Sequence, residues 1–202
     1  MSTRRTAAAW GIFLGLFLAF GAVLALTSCI PDDWDLPGGG KKGGKWPPPP
    51  PVAPMQVSEC KLGSAPFVPA LPPKTQAFRF GFTEPVKLST MKVPKTVRIV
   101  MTGAFPGGGA GILPAGTLHI GPDHKTVVLV SGVNNPAILA MLGGNPVVIP
   151  GGGMVNFQVR LLGTPDGASG VIKDASGHAL DGDFDGKAGG VYTFGLNHHL
   201  NW

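Results

Sequence analysis

Charged and aromatic residues are scarce in this chain, and cysteine is nearly absent. Of its 202 residues, 13% are charged, 8% are aromatic and only two, Cys29 and Cys60, are cysteines. The net charge is +5, and removing Arg4 and Arg5 with a leader would reduce it to +3. An excess this small and this scattered argues against a nucleic-acid partner. If Cys29 is modified and so does not pair with Cys60, Cys60 is left as a free thiol, a small buried hydrophobic residue or the partner in an intermolecular disulfide.

Recognisable catalytic and phosphate-binding motifs are also missing. The chain has no G-x-S-x-G nucleophile motif and no H-E-x-x-H zinc motif. Its glycine runs at 107–109 and 151–153 lack the Lys-Ser/Thr step that completes a phosphate-binding loop. We therefore expect a protein that is not an enzyme.

Glycine and proline are abundant, with 32 and 21 copies that make up about a quarter of the chain. About half of residues 30–54 are glycine or proline, and this stretch shows no helix or strand periodicity. The run from Pro47 to Pro51 favours extended polyproline II, and the whole stretch reaches on the order of 50 Å. We predict a flexible linker over residues 29–54. Docking of its proline-rich part to a partner groove is the alternative.

The first 28 residues have the order of an export signal. Arg4 and Arg5 precede twenty uncharged residues from Ala7 to Leu26, as in a positive n-region followed by an apolar h-region. Twenty apolar residues are also long enough for an uncleaved membrane-spanning helix. With the arginines held inside, both alternatives place everything after residue 29 outside the cytoplasm.

The sequence Leu26-Thr27-Ser28-Cys29 resembles the lipobox of bacterial lipoproteins. The resemblance implies that diacylglycerol is attached to the Cys29 sulfur, that residues 1–28 are removed, and that the new amine is acylated, with palmitate as a typical acyl chain. One acyl chain holds a protein to a membrane only marginally, whereas two or three hold it stably. Ile30 stands where an aspartate would favour inner-membrane retention in this family, which points to the outer membrane.

Beyond residue 55 the dominant pattern has period two, as expected for half-buried strands. Residues 121–124 predict a hairpin turn. Residues 135–143 predict a short helix with Asn135 as its cap. Six or seven strands separated by glycine and proline predict an all-β sandwich over residues 55–202. The predicted strands are Phe78–Phe82, Val97–Met101, Thr117–Ile120, Thr126–Val130, Val155–Leu161 and Val191–Leu196.

Three stretches are similar to bacterial Ig-like domains of S-layer and other cell-surface proteins. They are FGFTEPVKLSTM at 80–91, GTLHIGPDHKTVVLV at 116–130, and FQVRLLGT continuing to VIKDASGHALDG at 157–182. The pattern covers roughly residues 75–196, with His178 where asparagine is usual. The resemblance implies an Ig-like sandwich of about seven strands that serves as a non-catalytic structural or interaction module. Its partner would be an envelope protein or a glycan.

The sharpest local signal is residues 181–186, Asp-Gly-Asp-Phe-Asp-Gly. Carboxylates at positions one, three and five with glycine at six match the first half of a calcium loop. Tyr192 occupies position twelve and cannot supply the bidentate carboxylate, which excludes an EF-hand. Asp181, Asp183 and Asp185 therefore predict an open calcium site. The alternative is that these Asp-Gly pairs form an ordinary turn without a cofactor.

Asp174 is the best additional oxygen donor for that site. The histidines predict no metal centre. Neighbouring His198 and His199 point to opposite faces of an extended strand, and we expect them in a solvated terminal segment. His119 and His124 flank one turn and are expected at the surface, because no cysteine or carboxylate set has zinc-ligand spacing.

Overall fold

The computed structural model describes residues 52–202. The predicted leader at 1–28, the lipidation site Cys29 and all but the last three residues of the predicted linker lie outside the described residues. Val52 to Pro54 have no regular secondary structure. None of the helices among residues 52–202 has the length and hydrophobicity that a membrane span requires.

Residues 52–202 form an all-β sandwich, as predicted. Eight strands and one α-helix are present in this part of the chain. They are β1 (Val57–Leu62), β2 (Thr75–Phe82), β3 (Val97–Gly103), β4 (Ala110–Ile112), β5 (Gly116–Ile120), β6 (Thr126–Asn134), α1 (Asn135–Met141), β7 (Gly153–Leu162) and β8 (Val191–Leu200). Strands β1 and β4 were not predicted.

The strands form two four-stranded antiparallel sheets, in the orders β1-β2-β6-β5 and β4-β3-β7-β8. The chain crosses from one sheet to the other after β2, after β4 and after β6. Each sheet therefore combines strands that are distant in sequence. Strand β8, which begins just after the acidic loop, pairs with β7 along its whole length, from Val191 opposite Leu162 to Leu200 opposite Gly153.

Alternating apolar residues of the central strands form the core. The inward side chains of β7, including Val155 and Phe157, are fully buried, and so are Phe78 and Phe80 of β2. The Phe78 and Phe157 rings meet edge to face across the two sheets, with centroids 5.3 Å apart. This alternation is what the period-two pattern predicted. On its outer face, β2 is covered by the segment before it, because Ala65 packs against Ala77.

The predicted helix is present, but its cap lies one residue earlier. Asn134, not Asn135, has extended backbone angles, and its side chain accepts a hydrogen bond from the Ala137 N–H. Asn135 is inside the first turn and is buried. The helix ends at Met141, and Gly143 follows with a φ of 82°, a conformation that favours glycine.

The turn at 121–124 is also confirmed, between β5 and β6, but the C-terminal prediction was wrong. Strand β8 does not stop at Leu196; it continues to Leu200 and includes His198 and His199. These two residues pair with Val155 and Met154 of β7, and only His199 is exposed. Pairing with β7 satisfies this backbone, so it is not a solvated terminal segment.

Candidate metal centre

The acidic loop precedes β8, and its first residue is held by the N-terminal end of the sandwich. The Asp181 N–H donates to the Met55 carbonyl over 2.8 Å. Asp181 also forms isolated β-bridges with Gln56 and with Gly189. Its side chain is consequently fixed inside the protein, with none of the residue exposed to solvent.

The two carboxylate oxygens of Asp181 have different surroundings. Oδ2 accepts hydrogen bonds from Gln56 Nε2 at 2.8 Å and from the Gly186 N–H at 3.1 Å. Oδ1 is buried and has no hydrogen-bond partner in the described part of the chain. The Gln56 hydrogen bond, together with backbone N–H groups of the loop, lowers the pKa of Asp181 from its ordinary value, while burial opposes this effect. The side chain is thus an ionised carboxylate with one free oxygen.

Two more carboxylates lie next to it. One oxygen each from Asp181, Asp183 and Asp185 can be chosen so that all three lie within 4.8 Å of one another. Asp183 and Asp185 are exposed, so the group has one buried side and one open side. The Oδ1 atom of Asp185 accepts the Lys187 N–H at 2.8 Å, which leaves its second oxygen available.

Backbone conformation brings these side chains together. Phe184 and Gly186 both have positive φ, 61° and 82°, which turns the chain back between the aspartates. The exposed Phe184 ring is held edge to face against Tyr192 of β8, at 5.9 Å between centroids. Gly190, with a φ of 71°, lies under Asp183, and a methyl group there would overlap the Asp183 carboxylate. Only glycine fits this position without moving the carboxylate.

Asp174 is not brought into this group. Its carboxylate accepts the His178 N–H at 2.8 Å, and its other oxygen lies 3.2 Å from His178 Nδ1. Residue 174 forms an isolated bridge with Val86. The Asp174 side chain therefore closes its own turn, and the expectation that it would be a fourth ligand is not met.

Gln56 is the site residue that the sequence did not indicate. It is 125 residues from Asp181 and stands two residues after Pro54, the end of the glycine- and proline-rich stretch. No local pattern distinguishes it from a linker residue. Only its pairing with Asp181 identifies it.

Cys60 of β1 is half-buried and forms no disulfide within residues 52–202. Its side chain packs against the core. Burial raises the pKa of the thiol to about 12, with a smaller contribution from the neighbouring Glu59 carboxylate. At neutral pH the residue is a protonated thiol, which is neither a good nucleophile nor a good metal ligand.

A scan against protein-family models, a search of curated proteins and a search of solved structures all returned no match. The two-sheet sandwich is established by its strand pairing. The lipobox and Ig-like assignments stay predictions from the sequence.

Proposed function

We propose that the chain is a cell-envelope lipoprotein that displays a non-catalytic Ig-like sandwich as a structural or interaction module. The observation that carries this proposal is Leu26-Thr27-Ser28-Cys29 at the end of a twenty-residue uncharged run with two arginines before it. Cys29 is the site of lipidation, and acylation anchors the protein in the membrane. Ile30 favours delivery to the outer membrane.

The start of the sandwich supports a tethered arrangement. Met55 is the first fully buried residue of the described chain, and Gln56 is the first to form a β-bridge. The glycine- and proline-rich stretch ends at Pro54, immediately before them. All the strands of the sandwich therefore lie after the proposed linker, and none has to be formed by it.

Lipidation is tested by the Cys29→Ser variant in a bacterial expression host fed labelled palmitate. We expect label in the wild type and an unlabelled, uncleaved precursor in the variant. Cys60→Ser is the matched control, because it removes the other cysteine and should keep the label. Label persisting in Cys29→Ser, or residues 1–28 remaining on the native polypeptide without added hydrocarbon, would refute the anchor. Separation of inner and outer membranes then tests the location.

The second candidate function is a calcium-dependent module that binds a ligand or glycan of the cell surface. Two observations on Asp181 favour it: its Oδ1 atom has no hydrogen-bond partner among the described residues, and one of its carboxylate oxygens lies within 4.8 Å of oxygens of Asp183 and Asp185. The test is a glycan array probed with the full chain in detergent, with calcium and with chelator. Binding that needs calcium, and that Asp183→Asn removes, supports this function; binding unchanged by chelator refutes it.

A further inference from the structure

We propose that Asp181, Asp183 and Asp185 bind one calcium ion, and that the bound ion locks Met55 and Gln56, the N-terminal junction of the sandwich, in place. This inference uses the same acidic loop as the second candidate function, but it needs no ligand and no lipid anchor. It assigns the metal a mechanical role at the point where the proposed tether meets the folded module.

The first argument is the buried oxygen. A buried polar atom without a partner costs free energy, and a charged one costs more. Asp181 Oδ1 is such an atom, since it belongs to a fully buried carboxylate whose other oxygen already accepts two hydrogen bonds. A cation at Oδ1 supplies the missing partner. It also offsets the repulsion between the three carboxylates of the group.

The second argument is the identity of the ion. All three candidate ligands are carboxylate oxygens, which suit hard cations, and no described histidine or cysteine joins the group. Calcium–oxygen distances of 2.3–2.6 Å allow two ligands of one ion to lie up to about 5 Å apart, and the three oxygens all lie within 4.8 Å of one another. The open side, where Asp183 and Asp185 are exposed, leaves coordination positions for water.

The third argument is the set of contacts between Asp181 and the junction. Its main chain holds the Met55 carbonyl, and its Oδ2 atom holds the Gln56 side chain. Gln56 is bonded in turn to Thr83, whose N–H donates to the Gln56 carbonyl while its Oγ1 accepts the Gln56 N–H, both at 2.9 Å. An ion that fixes the Asp181 carboxylate therefore opposes any opening that separates Gln56 from it. By reciprocity, a docked junction raises calcium affinity by the same factor.

Hydrogen exchange on the full chain in detergent tests the proposal, with calcium chloride as the probe. The amides to follow are Thr83 and Asp181, because they donate to the carbonyls of Gln56 and Met55. If the junction opens only after the ion leaves, exchange slows by one plus the ratio of free calcium to its dissociation constant. We expect about a tenfold slowing at free calcium ten times that constant, together with calcium heat by titration calorimetry.

Asp183→Asn and Asp185→Asn should remove both effects, because each deletes a ligand that has no hydrogen bond to the junction. Asp166→Asn is the matched control, since it makes the same charge change at an exposed residue that pairs with Arg98. It should leave both effects intact. The proposal is overturned if calcium gives no heat, if it gives heat without slowing the two amides, or if slowing persists in both loop variants. Calcium protection without any ligand capture would support this inference and refute the second candidate function alone.

Discussion

Replacing Gly190 with alanine tests whether the position of the Asp183 carboxylate sets calcium affinity. Gly190 has a φ of 71°, and a methyl group there would overlap Cγ and Oδ1 of Asp183 and lie 2.8 Å from Oδ2. Asp183 is exposed, so its side chain can rotate away and relieve the overlap. The substitution therefore moves a proposed ligand while leaving its charge in the protein.

Two costs are expected, and they differ in kind. The left-handed backbone conformation disfavours alanine relative to glycine by about 1–2 kcal/mol, which lowers the free energy of unfolding. Changes that disturb the orientation of a metal ligand typically weaken affinity about 10–100-fold. This second cost corresponds to about 1.4–2.8 kcal/mol of calcium binding.

Gly177→Ala separates these costs. Gly177 also has a positive φ, 94°, but a methyl group there meets no atom within 4 Å, and the residue lies in the turn closed by Asp174. Both variants should lose similar stability in urea titrations without calcium. Only Gly190→Ala should lose calcium affinity by calorimetry. If the two variants bind calcium with equal affinity, Asp183 is not a ligand of the ion.

Other parts of the sandwich yield further predictions. Phe157→Ala should lower the free energy of unfolding by about 3–5 kcal/mol, because the ring is fully buried against Phe78; urea unfolding measures this, with the exposed Gln158→Ala as control, and a loss below 1 kcal/mol would contradict the core. Asn134→Ala should cost about 1 kcal/mol through loss of the helix cap, and an unchanged urea midpoint would contradict that role. In the Cys29→Ser variant Cys60 is the only thiol, and at pH 9 it should react with iodoacetamide far more slowly in the folded protein than in urea. Because folding raises the pKa of this thiol to about 12, the folded state retains the proton that the unfolded state loses. The contribution of Cys60 to the free energy of unfolding should therefore be constant below about pH 8.5 and fall as the pH rises towards 12. A contribution from Cys60 that increases over that range, measured against Cys60→Ser, would contradict this linkage.

The strands that the sequence predicted are those whose side chains alternate between the core and the other face of a sheet. Val155 and Phe157 of β7 are buried, while Met154 and Gln158 beside them are exposed. That contrast is visible in the sequence because a strand places successive side chains on opposite faces. The six predicted strands all survive in the structure, with ends that differ by a few residues.

The two strands that were missed lack that contrast. Strand β4 has only three residues, Ala110–Ile112, in a glycine-rich stretch, and exists because it pairs with β3. Strand β1 lies at a sheet edge, and most of its residues are partly exposed. In both cases the segment is a strand because it pairs with a neighbouring strand, and the local sequence pattern does not reveal that pairing.

The acidic site was likewise predictable only in part, because some of its features follow from the local sequence and others from the tertiary structure. The spacing of Asp181, Asp183 and Asp185 predicted that the three carboxylates converge, and they do. The sequence did not indicate which oxygen is buried, nor that Gln56 bonds to one of them. Asp174 is also an aspartate close in sequence to these residues, but its carboxylate contacts His178 within its own turn. Residue type and spacing identify candidate ligands, whereas burial and hydrogen bonding decide which of their oxygens are free.

The two carboxylate oxygens of Asp181 connect the proposed ion to the proposed tether. Oδ2 accepts hydrogen bonds from Gln56 and from the Gly186 N–H, whereas Oδ1 has no protein partner in the described residues. Both oxygens are on one rigid carboxylate, so restraining one restrains the other. A force applied to the linker would reach the sandwich first at Met55 and Gln56, and these are the residues that Asp181 holds. Calcium at this position would therefore strengthen the module at the point where the proposed tether joins it.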